Sequence, residues 1–267
     1  MSLRASPQFF FFLLSMTLLA SACSSEDPVI EAFVNTALSS KSSNSTGSTL
    51  STGSGSSDPT FDLDANGVPE FVSSDYIELS RIAKVTLFRG TAWGHDYSDA
   101  TETCRTMKHY YIPSGAGSTW TTIKIYAPVS GTVTELGVEQ SGGTQTHIQA
   151  DEQPAFTFIL FHTSVGGLQV GDHVTAGQQL GTHAMSTTTS DIAVRVNTPG
   201  GMRLVSYFLT MTDSLMAHYL SRGAAVRADF IQTQAARDAD SIANSITCDA
   251  DGYYSNMGSL AGWFILN

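Results

Sequence analysis

Positive charge is scarce in this chain. Thirteen Lys and Arg stand against 24 Asp and Glu, giving a formal net charge of −11 over 267 residues. That balance excludes the basic footprint that nucleic-acid binding needs. No cluster of Lys and Arg is present that would draw the chain to anionic lipid. Long apolar runs are scarce as well. The one marked run, 9–20, is shorter than the roughly 20 apolar residues required to cross a bilayer, and no later stretch is long and apolar enough to do so. Cysteine is rare and odd in number, with Cys23, Cys104 and Cys248 only.

What is present begins at the N-terminus. Arg4 supplies a positive start, the Phe-rich run follows, and small residues Ala20, Ser21 and Ala22 stand just before Cys23. This is the layout of a secretory signal peptide, expected over residues 1–22. The stretch Leu19-Ala20-Ser21-Ala22-Cys23 resembles a bacterial lipobox, with Ala20 where the family usually has Leu. The resemblance implies lipidation of Cys23. The alternative is ordinary cleavage near Ala22, which releases a soluble secreted protein. Loss of Arg4 with the signal moves the net charge from −11 to −12. Lipidation of Cys23 leaves Cys104 and Cys248 as an expected disulfide in an oxidising compartment. Such a bridge closes a loop of 144 residues (248 − 104), which the chain-entropy model values at about 5 kcal/mol. Two buried free thiols are the alternative.

Residues 37–58 are dominated by Ser, Thr and Gly. Such a segment cannot bury enough apolar surface to offset the entropy of ordering it, so 23–60 reads as a flexible, lipid-anchored tether. The folded part begins near residue 61. Runs such as Phe156-Thr-Phe-Ile-Leu-Phe161, Asp191-Ile-Ala-Val-Arg-Val196 and Met202-Arg-Leu-Val-Ser-Tyr-Phe208 are bounded by Gly, Pro, Ser and Thr, the pattern of short strands. From 213 to 245 the strand alternation gives way to Ala, Leu, Arg and Gln, which predicts two helices, the first capped by Thr212 or Asp213. The expected organisation is a β domain over 61–211 and a helical extension over 212–267.

Two segments set valines around a Gly turn: Ala127-Pro-Val-Ser-Gly-Thr-Val133 and Val170-Gly-Asp-His-Val-Thr-Ala-Gly-Gln-Gln-Leu-Gly181. The pairing resembles the barrel-sandwich hybrid scaffold, a duplicated hybrid motif forming a mainly β barrel. Biotinyl and lipoyl carriers use that scaffold, but they need a lysine at the turn between its halves. The lysines here are Lys41, Lys84, Lys108 and Lys124, and none follows residue 124. The lysostaphin-type (LytM) peptidoglycan endopeptidases use the same scaffold, and their motifs are matched over roughly residues 90–208. His95-Asp-Tyr-Ser-Asp99 resembles the family's His-x-x-x-Asp metal-binding motif. His162, after a hydrophobic strand, matches its catalytic histidine. The strand 191–196 stands where the family carries His-x-His.

On that strand the pattern breaks. Residues i and i+2 of a strand share a face, so Asp191, Ala193 and Arg195 lie where two imidazoles are expected. Asp191 replaces the second catalytic histidine and Ala193 the third metal ligand. A catalytic zinc site takes three protein ligands and keeps a fourth position for water, whereas His95 and Asp99 supply two. His183, in the loop ahead of the strand, or Asp191 itself could supply a third. The expected zinc cofactor therefore depends on such a replacement.

The resemblance thus implies an extracytoplasmic protein of the bacterial envelope that binds peptidoglycan or a wall-remodelling enzyme. It contacts membrane through a lipid anchor only and does not act on nucleic acid. The alternatives are an active zinc metalloendopeptidase with a substituted ligand, and a structural surface lipoprotein that keeps the barrel as scaffold. Trp93, Tyr110 and Tyr111 flank the motif as cleft or packing residues. His109, His147, His173 and His218 have no motif context.

Overall fold

The computed structural model describes residues 58–90, 93–102, 104–240, 253–254 and 262–267, and of residues 95, 253 and 254 the backbone only. Cys23, Cys248, the signal segment and the Ser/Thr/Gly tether up to residue 57 lie outside the described residues. The chain divides into Met1–Ser54 and Gly55–Asn267, and all described residues belong to the second unit.

The chain is mainly β, as the short alternating runs predict. After a single helical turn, α1 (Leu63–Asn66), come β1 (Ile82–Thr86), β2 (Gly94–His95), β3 (His109–Pro113), β4 (Lys124–Tyr126), β5 (Gly131–Val138) and β6 (Thr144–Ala150). These are followed by β7 (Phe156–Ser164), β8 (His173–Val174), β9 (Gln179–His183), β10 (Ser190–Thr198) and β11 (Gly201–Val205). Then come α2 (Tyr207–Thr210), α3 (Asp213–Leu220), α4 (Gln234–Ala239), β12 (Tyr253–Tyr254) and β13 (Trp263–Ile265). Eleven strands form one open antiparallel sheet whose main path runs β13-β1-β3-β10-β7-β6-β5-β8, with β11 on β10 and β9 joining β4 to β7. The remaining two, β2 and β12, pair with each other.

The two Gly-turn segments meet in space. Gly131 pairs with Val174 and Thr132 with His173 across β5 and β8. Gly131 is required there by crowding: a Cβ would fall 2.1 Å from the Gln149 carbonyl oxygen. The core gathers on one face of the central strands. Phe156, Phe158 and Leu160 of β7 pack with Ile192, Val194 and Val196 of β10, all at or near zero exposure. Each such side chain contributes about 1.5–3 kcal/mol by leaving water. The period of two then sends Asp191, Ala193 and Arg195 to the opposite face, where Ala193 packs with Ile159 and Phe161 in a second, smaller cluster.

Beyond residue 212 the chain forms α3, capped by the Thr212 hydroxyl, and the short α4. It also supplies β13, whose apolar Trp263-Phe264-Ile265 completes the edge of the main sheet against β1. Strand β12 pairs with β2, setting Tyr253 opposite His95. Among the described residues no helix is long and apolar enough to cross a membrane.

Candidate functional site

Strands β3, β10 and β7 lie side by side and open onto a cleft of ≈ 670 Å³, lined by Trp93, Tyr97, Lys108, Tyr110, Glu139 and His162 among others. Tyr110 stands opposite Asp191 in the β3–β10 ladder. Its ring lies flush against the backbone of Gly94, where a Cβ would come within 2.3 Å of the ring.

The floor of the cleft is an ion pair. Lys108 Nζ lies 2.6 Å from Asp191 Oδ2, with side-chain exposures of 6% and 0%. The ammonium also sits 3.9 Å from the ring centre of Phe161, 4.8 Å from that of Tyr110 and 5.0 Å from that of Tyr97, a cation–π environment. Burial alone would lower the Lys108 pKa. The Asp191 charge and the Tyr110 hydroxyl outweigh it and hold the pKa above the usual lysine value.

His162 joins this pair to the cleft wall. Its Nε2 is 3.5 Å from Asp191 Oδ1, and its Nδ1 is 2.7 Å from Glu139 Oε2. The same Glu139 oxygen accepts from the His162 backbone N–H at 2.7 Å. Glu139 sits in the turn between β5 and β6, so the imidazole ties that hairpin tip to the sheet. His162 adopts φ +54, a left-handed conformation that costs a non-glycine residue about 1 kcal/mol or more and tends to mark functional positions. Burial would depress the His162 pKa. The bond to Glu139 and the charge of Asp191 reverse this and raise it.

The residues expected from the motif divide into two groups. His162, Asp191 and His183 come together: the His183 ring lies edge-on to that of His162 with centres 6.4 Å apart. His183 Nε2 donates to the Thr188 carbonyl at 2.9 Å, which leaves Nδ1 as a buried acceptor with no partner. Burial lowers the His183 pKa. Asp191 Oδ1 is likewise buried without a hydrogen bond.

Asp99 faces elsewhere. Its Oδ2 accepts the Leu204 N–H of β11 at 2.9 Å, and its Oδ1 accepts from the Thr101 backbone N–H at 2.9 Å and from the Thr101 hydroxyl. Burial would raise the Asp99 pKa, but these bonds and nearby Arg203 lower it. His95 lies in β2, and its side chain is outside the described residues. Cys104 adopts φ +60, and its N–H donates to Asp96 Oδ2 at 3.1 Å.

A zinc ion does not fit the described donors as they stand. Ala193 offers no donor atom, the Asp191 carboxylate is joined to an ammonium, and Asp99 is occupied by N–H and O–H donors. Among the described residues no group of three or more His, Cys, Asp or Glu is arranged to hold a metal. Lys108 and Glu139 carry no family motif, and neither is singled out by the sequence. The one available signal for Lys108 is its alternation with Tyr110 at the start of an aromatic strand. The histidines without motif context have local partners: His109 bonds the Thr86 carbonyl and Ser206 and has its pKa pushed down to about 4 by burial. His147 faces Glu135, His173 faces Asp151 and His218 faces Asp75.

The structural neighbours are lysostaphin-type peptidase domains. Csd3 from Helicobacter pylori is similar over 54% of this chain and 34% of its own, at 17% identity and a TM-score of 0.37. The catalytic domain of the antimicrobial peptidase lysostaphin from Staphylococcus simulans is similar over 44% of this chain and 82% of its own, at 21% identity and TM-score 0.29. The catalytic domain of the prophage-encoded M23 protein EnpA from Enterococcus faecalis gives 52% and 93%, at 20% identity and TM-score 0.30. The chain spans about a third of the Csd3 chain it matches and 48% of the lysostaphin chain in its solution structure. No protein-family model and no curated protein matches the sequence.

Proposed function

We propose that this chain is an exported protein of the bacterial cell envelope whose peptidase-like domain binds peptidoglycan, or a wall-remodelling enzyme, without cutting. The observation that carries this reading is the Lys108–Asp191 pair at 2.6 Å on the floor of the cleft. A metallohydrolase needs a cation with an open coordination position there, to lower the pKa of a bound water to about 7. An ammonium has no open position and cannot generate hydroxide. With Ala193 lacking a donor, the cleft keeps its aromatic walls and fixed charges, which suit recognition.

Within this reading Cys23 carries the lipid, residues 23–60 act as the tether, and Cys104 bridges Cys248. That bridge would hold the C-terminal segment beside β2 at the rim of the cleft, consistent with the β12–β2 pairing. His162 and Asp191 serve as positioning residues for the cleft wall.

The test is metal analysis of the purified domain combined with incubation on peptidoglycan. Substoichiometric zinc, no released peptides and co-sedimentation with sacculi are expected. One equivalent of zinc, with cleavage abolished by Asp191→Ala or His183→Ala, would instead establish an active zinc endopeptidase. Recovery of neither wall material nor a wall enzyme from envelope extract would favour a structural surface role.

A further inference from the structure

The Lys108 ammonium is built into the cleft in a way that leaves one of its protons unassigned. A lysine carries three N–H donors. Asp191 Oδ2 takes one at 2.6 Å, and the Tyr110 hydroxyl takes a second. The remaining donor belongs to a group that lines the ≈ 670 Å³ cleft, a size within the ordinary range of ligand pockets. The cost of burying the charge is already met by Asp191, so the pair as a whole is neutral and needs no anionic ligand. The opposite wall argues against one: Glu135 and Glu139 both line the cleft and would repel a carboxylate. Trp93 and Tyr97, on the same rim, offer flat apolar surface for an extended chain.

We propose that Lys108 is the ligand-contacting cation of this cleft and donates its third proton to a carbonyl oxygen of an extended, uncharged peptide. The proposal rests on the reading of the cleft as a wall-binding site, and names the ligand chemistry of that site. A hydrogen bond from a charged donor in a sheltered site contributes enough that its loss weakens binding at least about tenfold.

Two measurements on the full chain test it. The first is co-sedimentation with purified peptidoglycan sacculi, comparing wild type with Lys108→Met after a thermal melt has verified folding. The second follows lysine ammonium resonances during titration with N-acetyl-trialanine amide. Only Lys41, Lys84, Lys108 and Lys124 contribute to that spectrum, so the Lys108 signal can be assigned even where Lys108→Met fails to fold. The expected result is a saturable shift of the Lys108 resonance and a loss of sacculus binding of about tenfold or more in Lys108→Met. Sacculus binding by the wild type with the Lys108 resonance unmoved overturns this proposal and leaves the wall-binding reading intact. A Lys108 shift with the peptide but no sacculus binding overturns the wall-binding reading and leaves the carbonyl site standing. Neither shift nor binding overturns both.

Discussion

Lys108 and Asp191 form an ion pair shut away from water, 2.6 Å apart and joined across 83 residues of sequence. Their dependence on each other gives the first prediction. Removing one partner of a buried pair leaves an uncompensated charge and costs about 3–5 kcal/mol, whereas replacing both by apolar groups of similar volume is often neutral or stabilising. Lys108→Met alone is therefore expected to lower unfolding stability by that amount. The double variant Lys108→Met with Asp191→Leu should recover most of it. Urea unfolding of the two variants checks this, and an equal loss in both would show that the pair is not coupled.

The His162–Glu139 contact predicts a pH dependence. The folded pKa of His162 is raised, chiefly by Glu139 and Asp191 against the effect of burial. A raised histidine pKa contributes stability that is fully present below the unfolded value of about 6.5 and is lost as pH rises through the folded pKa. The stability gap between wild type and Glu139→Gln should thus be larger near about pH 6 than near about pH 9. Histidine NMR should place His162 titration above that of a free histidine in the wild type and lower in Glu139→Gln. A gap that does not change with pH would count against the clamp.

Asp99 is held as a local structural acceptor. Asp99→Ala leaves the Leu204 N–H without its partner, a loss of about 1–3 kcal/mol. The Asp99 pKa is lowered by its hydrogen bonds and Arg203 despite burial, so its contribution is present above the ordinary carboxylate range near about 3.9 and lost as pH falls through the folded pKa. The decisive readout is metal content, which Asp99→Ala should leave unchanged. A zinc loss that tracks this substitution would restore Asp99 as a ligand.

The proposed Cys104–Cys248 bridge predicts that intact-mass analysis without reductant finds no free thiol at either position. Reduction should lower stability by an amount up to the roughly 5 kcal/mol that closure of so long a loop can contribute. Alkylation of both cysteines in the folded, unreduced chain would remove the bridge from the account.

Much of this site is legible in the sequence because strands repeat every two residues. The run 191–196 alone separates Ile192, Val194 and Val196, which enter the main core, from Asp191 and Ala193 on the other face. The proximity of His162 to Asp191 follows the family motif, and β7 pairs beside β10. Lys108 is not legible, because its meaning comes from a ladder between distant strands: only the pairing of Tyr110 with Asp191 brings the lysine to the carboxylate. Asp99 shows the limit of motif spacing. A His-x-x-x-Asp pattern brings both groups to one point only if the backbone between them is regular. Here Asp99 instead accepts the N–H two residues on, a turn preference of aspartate, and the β11 N–H takes its other oxygen. The edge strand β13 is too short at three residues to stand out from its surroundings.

The most direct test of the central claim is the zinc content of the purified chain after equilibration with zinc at neutral pH and removal of the unbound metal. With the ammonium of Lys108 joined to Asp191 and no donor at Ala193, well under one equivalent should remain. One tightly held equivalent, lost in Asp191→Ala, would contradict the account.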